Sequence, residues 1–301
     1  MSAPGVEVRG LVVRYGSTTA LDGVDLDVAP GSITALIGRN GSGKTTLLSI
    51  LAAFRPSDAG TVRIGGAEPW ENPAVVGDVC LVRESGDLHR ELRVRENLRF
   101  LADNRAHFSP ELAGGLLETF EIDTRRKLGQ LSRGKRSAFG VVVGLASRAP
   151  LTLLDEVHLG MDAPSRYAFY DALLADYVEH PRTIVLSSHL VDEVQRLAEH
   201  VVVLHRGRVL VSAEAEELRA RGATVTGPAE AVDAFVRGRT VLGRSALGPT
   251  AQVTVDGGLT DADRAEAARL RLDLGPVDLQ DLFVHLTGRD APAVPAAEVA
   301  S

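Results

Sequence analysis

The sequence predicts an α/β protein built on a mostly parallel sheet with helices on both faces, and three features predict it. Short apolar runs without alternation, Ile33 to Ile37, Val79 to Val82, Leu151 to Leu154 and Thr183 to Leu186, read as strands buried on both sides. Helical patterns separate them, as crossovers between parallel strands require. A glycine-rich loop joins the first of these strands to a leucine-rich helical pattern, Leu47 to Ala53.

The remaining elements follow in order. Val6 to Tyr15 and Gly23 to Val28 alternate like antiparallel strands around a turn at Gly16 to Thr18, and Thr61 to Ile64 is a short strand closed by Gly65-Gly66. Arg95 to Ala102 is helical. Ser109-Pro110 supplies an N-cap and a first-turn proline for a helix over Glu111 to Phe120. Ser132 to Ser147 is a helix with a nearly all-apolar stretch, and Ser165 to Glu179 is one stopped by Pro181. Val191 to Ala198 is helical, and Val201 to Leu204 with Val209 to Val211 forms a hairpin around Arg206-Gly207. At Arg221-Gly222 the texture changes to short β-like pieces (Ala223 to Thr226, Gln252 to Val255) and helices (Ala229 to Val236, Asp261 to Leu270, Leu279 to Leu286). The expected organisation is a main domain over 1–220, a small α+β accessory domain over 221–290, and an Ala/Pro-rich disordered tail over 291–301.

Composition narrows the function classes. Of 301 residues 45% are hydrophobic, enough for a sizeable core, and with only 4% aromatic that core is aliphatic. A net charge of −7 gives no global field for nucleic acid, so no nucleic-acid partner is expected. The single cysteine, Cys80, has no intramolecular disulfide partner, which fits a reducing, cytoplasmic compartment. The first ten residues lack an apolar signal core. The longest apolar stretch, Ala138 to Ala146, is far below the ~20 residues of a membrane span.

The glycine loop carries the chemistry. Gly38-Arg39-Asn40-Gly41-Ser42-Gly43-Lys44-Thr45-Thr46 follows a strand and opens a helix, the context of a phosphate-binding P-loop. Glycines let backbone N–H groups face an anion, the helix N-terminus adds partial positive charge, and Lys44 adds a full one. Lysine is rare here (only Lys44, Lys127 and Lys135), so a chance match has odds of ~3 × 10⁻³ over the chain. Nucleoside triphosphate binding is expected.

Further segments narrow the class. Leu151 to Leu154 ends in Asp155-Glu156, the form of a Walker B strand: one carboxylate for a Mg²⁺ shell, a second to orient and deprotonate water. Leu131-Ser132-Arg133-Gly134-Lys135 opens the apolar helix upstream, Met161-Asp162 follows the acids, Ser187-Ser188-His189 ends the next strand, and Tyr15 precedes the P-loop. Singly, each has a bland reading: Ser132 as N-cap, Asp162 as turn residue, His189 as loop histidine, Tyr15 as strand aromatic. Their order and spacing together argue against coincidence.

In these motifs, over roughly Val6 to Leu218, the chain resembles the ABC-ATPases, the nucleotide-binding subunits of ABC transporters. The resemblance implies a P-loop NTPase core with a mostly parallel sheet, an antiparallel β subdomain, a helical subdomain and a small α+β C-terminal extension. It implies ATP and Mg²⁺ as cofactors and ATP hydrolysis as the activity. The partners it implies are an integral membrane permease and a second ATP-binding subunit, in a homodimer or heterodimer, peripheral on the cytoplasmic face of the cell membrane. By resemblance, Tyr15 stacks on adenine, and Lys44 with the amides of Gly38, Arg39, Asn40, Gly41, Ser42 and Gly43 holds the β- and γ-phosphates. Thr45 ligates Mg²⁺ and Thr46 lies at the α/β-phosphates. Asp155 supports the metal shell, Glu156 is the general base and His189 bridges to the γ-phosphate. Asp162, Ser132 and Gly134 act across the dimer.

Two departures stand out. Arg133 and Lys135 replace a Gly and a Gln of the usual signature, and Arg133 is expected to add positive charge near the γ-phosphate. Where the family usually has a metal-binding Gln, the aligned residue is Glu84, or Arg83 if the alignment shifts by one. The segment Glu84 to Leu101 is the expected docking surface for the permease. The basic signature and short C-terminal extension resemble ATPases of drug, peptide or polysaccharide exporters, so export is expected. The alternatives are an importer subunit, or a soluble ABC-type ATPase acting on a ribosome, nucleic acid or assembly partner.

Overall fold

The computed structural model describes residues 3–83, 88–191, 196–277 and 279–288. It divides into two compact units, residues 1–189 with 204–209, and residues 190–203 with 210–301. The texture change at Arg221-Gly222 falls within the second.

The first unit holds two sheets. Strands β1 (Val6–Tyr15), β2 (Thr18–Val28) and β4 (Ala59–Ile64) form an antiparallel sheet in the order β2-β1-β4. Along β1, Val6, Val8, Leu11 and Val13 are buried while their neighbours reach solvent, the alternation of a sheet with one wet face. Strands β3 (Ile33–Ile37), β5 (Val79–Arg83), β6 (Leu151–Asp155) and β7 (Thr183–Ser188) run parallel in the order β5-β6-β7-β3. Every residue of β3, β6 and β7 is buried, as the continuous apolar runs require of strands covered on both faces. Their ladders keep register, with Ile37 opposite Ser188 and Asp155 opposite Ser187, so the strand ends that carry polar residues line up.

Helices α1 (Lys44–Leu51), α2 (Pro73–Val76), α3 (Val94–Asn104), α4 (Pro110–Thr119), α5 (Arg133–Ala146) and α6 (Ala163–Glu179) belong to this unit. On α5, Gly140 and Gly144 lie one turn apart on one face. A Cβ there would sit 3.0 Å from Val82 Cγ1 and 2.8 Å from Leu154 Cδ2, so the missing side chains let α5 settle directly onto β5 and β6. Behind the sheet, buried Asp176 on α6 pairs with Arg148 Nη2 at 2.8 Å and Arg182 Nη1 at 2.7 Å, tying the ends of α5 and α6 to the start of β7. Cys80 is buried and its thiol pKa is pushed up by desolvation, as expected of a core cysteine.

Strands β8 (His200–His205) and β9 (Arg208–Glu214) are neighbours joined at Arg206-Gly207, both with positive φ (48° and 78°), the backbone of a tight hairpin turn. That turn bears on the P-loop. Gly207 N–H donates to Ser42 O at 2.9 Å, Gly207 O accepts from Asp22 N–H at 2.9 Å, and Arg208 pairs with Asp22 at 2.6 Å.

Elsewhere in the second unit, β10 (Gly222–Pro228), β11 (Val241–Leu247), β12 (Thr250–Asp256) and β13 (Asp273–Pro276) form an antiparallel sheet in the order β11-β12-β10-β13. After α7 (Ala215–Ala220), helix α8 (Ala229–Phe235) links β10 to β11, and α9 (Asp261–Arg269) links β12 to β13. This is the β-α-β-β-α-β arrangement of ferredoxin-like folds. Its core unites Val225, Val253 and Val255 of the sheet with Val232 and Phe235 of α8 and Ala267 of α9. Helix α10 (Leu279–Thr287) follows, and its Asp281 accepts a hydrogen bond from Thr254 Oγ1 at 2.5 Å.

Most expected elements are present with ends shifted by a residue or two; β2 begins five residues earlier, at Thr18. Strands β11 and β13 and helices α2 and α7 were not expected. Residues 192–195 of the helix expected over Val191 to Ala198, residue Glu84 and the tail over 291–301 lie outside the described residues.

The hairpin turn yields a prediction. A Cβ on Gly207 would stand 2.7 Å from Ala20 O at a left-handed φ. Gly207→Ala should lower stability by about 1–3 kcal/mol and loosen the P-loop. Thermal denaturation with and without nucleotide checks this; an unchanged melting temperature would contradict it.

Candidate functional site

The P-loop is shaped by its glycines. Strand β3 delivers Gly38, whose N–H donates to Ser188 O at 3.3 Å. A Cβ on Gly38 would collide with Ser42 Oγ and Leu204 O. Gly41 and Gly43 take φ of 79° and 110°, the left-handed region. Arg39 and Asn40 are exposed on the rim and Ser42 is buried beneath it. Helix α1 then starts at Lys44 with no acidic residue in its own first turn, and its N-terminus adds partial positive charge to the loop. Thr45 is exposed and Thr46 half-buried.

Lys44 is 6% exposed, and its ammonium is held inside the loop. Nζ donates to Gly38 O at 2.6 Å and pairs with Glu156 Oε1 at 3.1 Å. The carboxylates reach this point from β6. Asp155 is buried, with Oδ1 accepting from Ser187 Oγ at 2.6 Å. Glu156 has φ 52°, a strained value for a non-glycine residue, and its N–H donates to Ser187 Oγ at 3.1 Å. Its Oε2 lies 2.9 Å from His189 Nδ1, just beyond the end of β7. Lys44, Asp155, Glu156 and His189 thus converge from the carboxyl ends of three adjacent parallel strands, where open α/β sheets bind ligands.

Other expected residues stand apart from this cluster. Tyr15 ends β1 half exposed, with the Arg55 guanidinium 4.4 Å from its ring centre. Ser132 caps α5, accepting from Lys135 N–H at 3.2 Å; Asp162 caps α6, accepting from Ser165 N–H at 2.9 Å. The Ser165 hydroxyl and N–H hold the Asp162 carboxyl below its usual range. Within one chain, the bland readings of Ser132 and Asp162 are therefore realised. The two segments nevertheless touch: a Cβ on Gly134 would meet Gly160 O at 2.7 Å, and the Arg133 stem covers Gly160. Lys135 turns away, donating to Phe120 O at 2.5 Å. Arg83 lies opposite Asp155 in the β5–β6 ladder, with its guanidinium over Phe54. Glu84 lies outside the described residues. Among the described residues no three His, Cys, Asp or Glu side chains cluster to hold a metal.

One site residue was not legible in advance. His158, two positions after Glu156, is 1% exposed, with Nε2 3.3 Å from Ser188 Oγ and 3.7 Å from Glu156 Oε2.

Residues 21–158 match the family model described as ABC transporter. The chain is 32% identical to the daunorubicin resistance ATP-binding protein of Streptomyces coeruleorubidus, over 99% of this chain and all of the relative. It is 30% identical to the Nod factor export ATP-binding protein I of Paraburkholderia xenovorans, over 96% of this chain and 99% of the relative. Among solved structures, the ATP-binding subunit of an ABC transporter superposes with a TM-score of 0.64 at 26% identity, covering 71% of this chain and 91% of that one. With a P-loop, paired strand-end carboxylates and a histidine brought together at one end of the parallel sheet, the chain belongs to the ABC transporter family, as an ATP-binding and ATP-hydrolysing subunit.

Proposed function

We propose that this chain couples ATP hydrolysis to export through a separate membrane permease, with Glu156 as the general base. The observation that carries the residue assignment is the clamp on Glu156, Lys44 on one carboxylate oxygen and His189 on the other. A triphosphate in the P-loop presents Lys44 with several negative charges in place of one. Lys44 then moves to the β- and γ-phosphate oxygens, joined by the amides from Gly38 to Thr46, and Glu156 Oε1 is released to orient and deprotonate water. His189, on the far side of Glu156, is placed to bridge to the γ-phosphate. Tyr15, exposed at the end of β1, offers an aromatic face to adenine.

Mg²⁺ fits the oxygen donors present. The exposed Thr45 hydroxyl and the Asp155 carboxylate are hard ligands of the kind Mg²⁺ takes together with phosphates and water. Glu84 completes the proposed set. When bound, the ion neutralises charge on the transferred phosphoryl group.

ABC ATPase subunits dimerise and work with membrane permeases. Here we assign Ser132, Gly134 and Asp162 to the dimer interface, facing the nucleotide of a second subunit, either a copy of this chain or a different one. The contact of Arg133 and Gly134 with Gly160 supports this, since it joins the signature segment and the Asp162 loop into one surface. No described helix is long and apolar enough to cross a membrane, so attachment to the cytoplasmic face is assigned to the permease, docked on the segment from Glu84 to Leu101. Export is favoured because both relatives align over nearly the whole chain, residues 221–290 included, and one is named for drug resistance, the other for Nod factor export. Residues 221–290 are proposed as the accessory domain.

Glu156→Gln should keep ATP binding, accumulate as a nucleotide-bound dimer and lose at least ~10²-fold in turnover. Lys44→Ala should weaken ATP binding by about 10–100-fold. Phosphate release and size exclusion with ATP check both; near-normal hydrolysis by Glu156→Gln would remove Glu156 as base. Arg133→Gly should raise the KM for ATP by about two- to fivefold, the scale of an exposed charge contact. Unchanged turnover and ATP affinity would sink the role given to Arg133.

A further inference from the structure

The clamp around Glu156 has a third member. His158 sits in the turn between β6 and α6, in the run Val157-His158-Leu159-Gly160-Met161, with Val157 and Met161 buried beside it. An apolar side chain would suit that setting, and burying an imidazole costs free energy unless its nitrogens find partners. The partners found by Nε2 are informative: Ser188 Oγ at 3.3 Å and Glu156 Oε2 at 3.7 Å. Oε2 is the same oxygen that His189 Nδ1 holds at 2.9 Å, and the two imidazole rings stand 6.5 Å apart, centre to centre. One carboxylate oxygen is therefore approached by two imidazoles from two different elements.

The backbone gives this a purpose. Glu156 is held at φ 52°, and such a conformation persists only when its surroundings over-determine it. Ser187 holds the N–H of Glu156, Ser137 Oγ donates to Leu159 O at 2.6 Å, and Met161 N–H donates to His158 O at 3.2 Å. His158 completes the set from the interior by linking the turn to Ser188, whose carbonyl also receives the Gly38 N–H of the P-loop. Lys44 and His189 are both assigned to phosphate once nucleotide is bound, whereas His158 is fully enclosed and stays with the protein.

We propose that His158 is a positioning residue for the general base: its Nε2, hydrogen-bonded to Ser188 Oγ at 3.3 Å and standing 3.7 Å from Glu156 Oε2, ties the turn to β7 and so keeps the Glu156 carboxylate aimed at the attacking water after Lys44 and His189 have turned to the nucleotide. The inference rests on the reading of Glu156 as base. It assigns His158 an effect on the rate of the chemical step and none on nucleotide affinity.

The test compares His158→Leu, close in volume but without a donor, with His158→Gln, whose amide restores a donor near the place of Nε2. Steady-state ATPase kinetics and ATP binding are measured for each, alone and with Glu156→Gln. His158→Leu should lose about tenfold or more in kcat, a scale set by misplacing a catalytic group by a fraction of an ångström, with KM and ATP affinity within twofold. His158→Gln should recover most of that loss. Added to Glu156→Gln, His158→Leu should cost nothing further. A His158→Leu protein with kcat within twofold of the parent, or a His158→Gln protein as slow as His158→Leu, overturns the proposal while Glu156→Gln remains inactive. Near-normal hydrolysis by Glu156→Gln alone overturns the base assignment, and the role of His158 with it.

Discussion

The ion pair between Lys44 and Glu156 is the constraint on which the rest of the site depends. Each partner is nearly buried, and a buried charge left without a counterpart is costly, so the two hold each other. The ammonium stays folded into a loop in which Gly38 and Gly43 leave no room for a side chain, and the carboxylate stays on a backbone that few residues would adopt. In the proposed exchange a triphosphate gives Lys44 new anionic partners and leaves the Glu156 carboxylate free to face water. On that proposal, nucleotide binding and release of Glu156 as base are one event.

The parallel sheet makes the pair possible. Three neighbouring strands in register end together, so that Gly38, Asp155 and Ser188 lie at one edge and the residues after them meet. Glycines on α5 let that helix close on β5 and β6, and the hairpin turn at Gly207 braces the P-loop through Ser42. The second unit follows a different logic. Its four antiparallel strands carry two helices over one face and build an independent core. Ferredoxin-like topology serves many purposes, and only the length of its match to exporter subunits links it to transport here.

Much of this was legible in the sequence because it rests on strong local signals. Unbroken apolar runs marked β3, β5, β6 and β7, and the glycines with Lys44 marked the loop between β3 and α1. Strand β11 escaped notice because it is an exposed edge, with Gly243 and Arg244 breaking any alternation. Strand β13 did so because four residues ending in Gly-Pro read as a turn. The start of β2, Thr18 to Asp22, was hidden by the turn-forming residues around it. His158 left no periodic trace: one histidine between Val157 and Leu159 looks like a core residue until the fold brings β7 alongside. Its only local signal was its place two residues after the second acid. Ser132 and Asp162 show the opposite limit, since a lone chain uses them as helix caps and any further role belongs to an assembly.

The most direct measurement is the affinity of Glu156→Gln for ATP, by calorimetry under conditions where the chain remains a monomer. If Lys44 must leave Glu156 to reach phosphate, removing the carboxylate charge frees the ammonium and should tighten binding several-fold relative to the parent. Equal or weaker binding would show that the pair does not stand between the empty and loaded states, and the account of coupled binding and activation would fail.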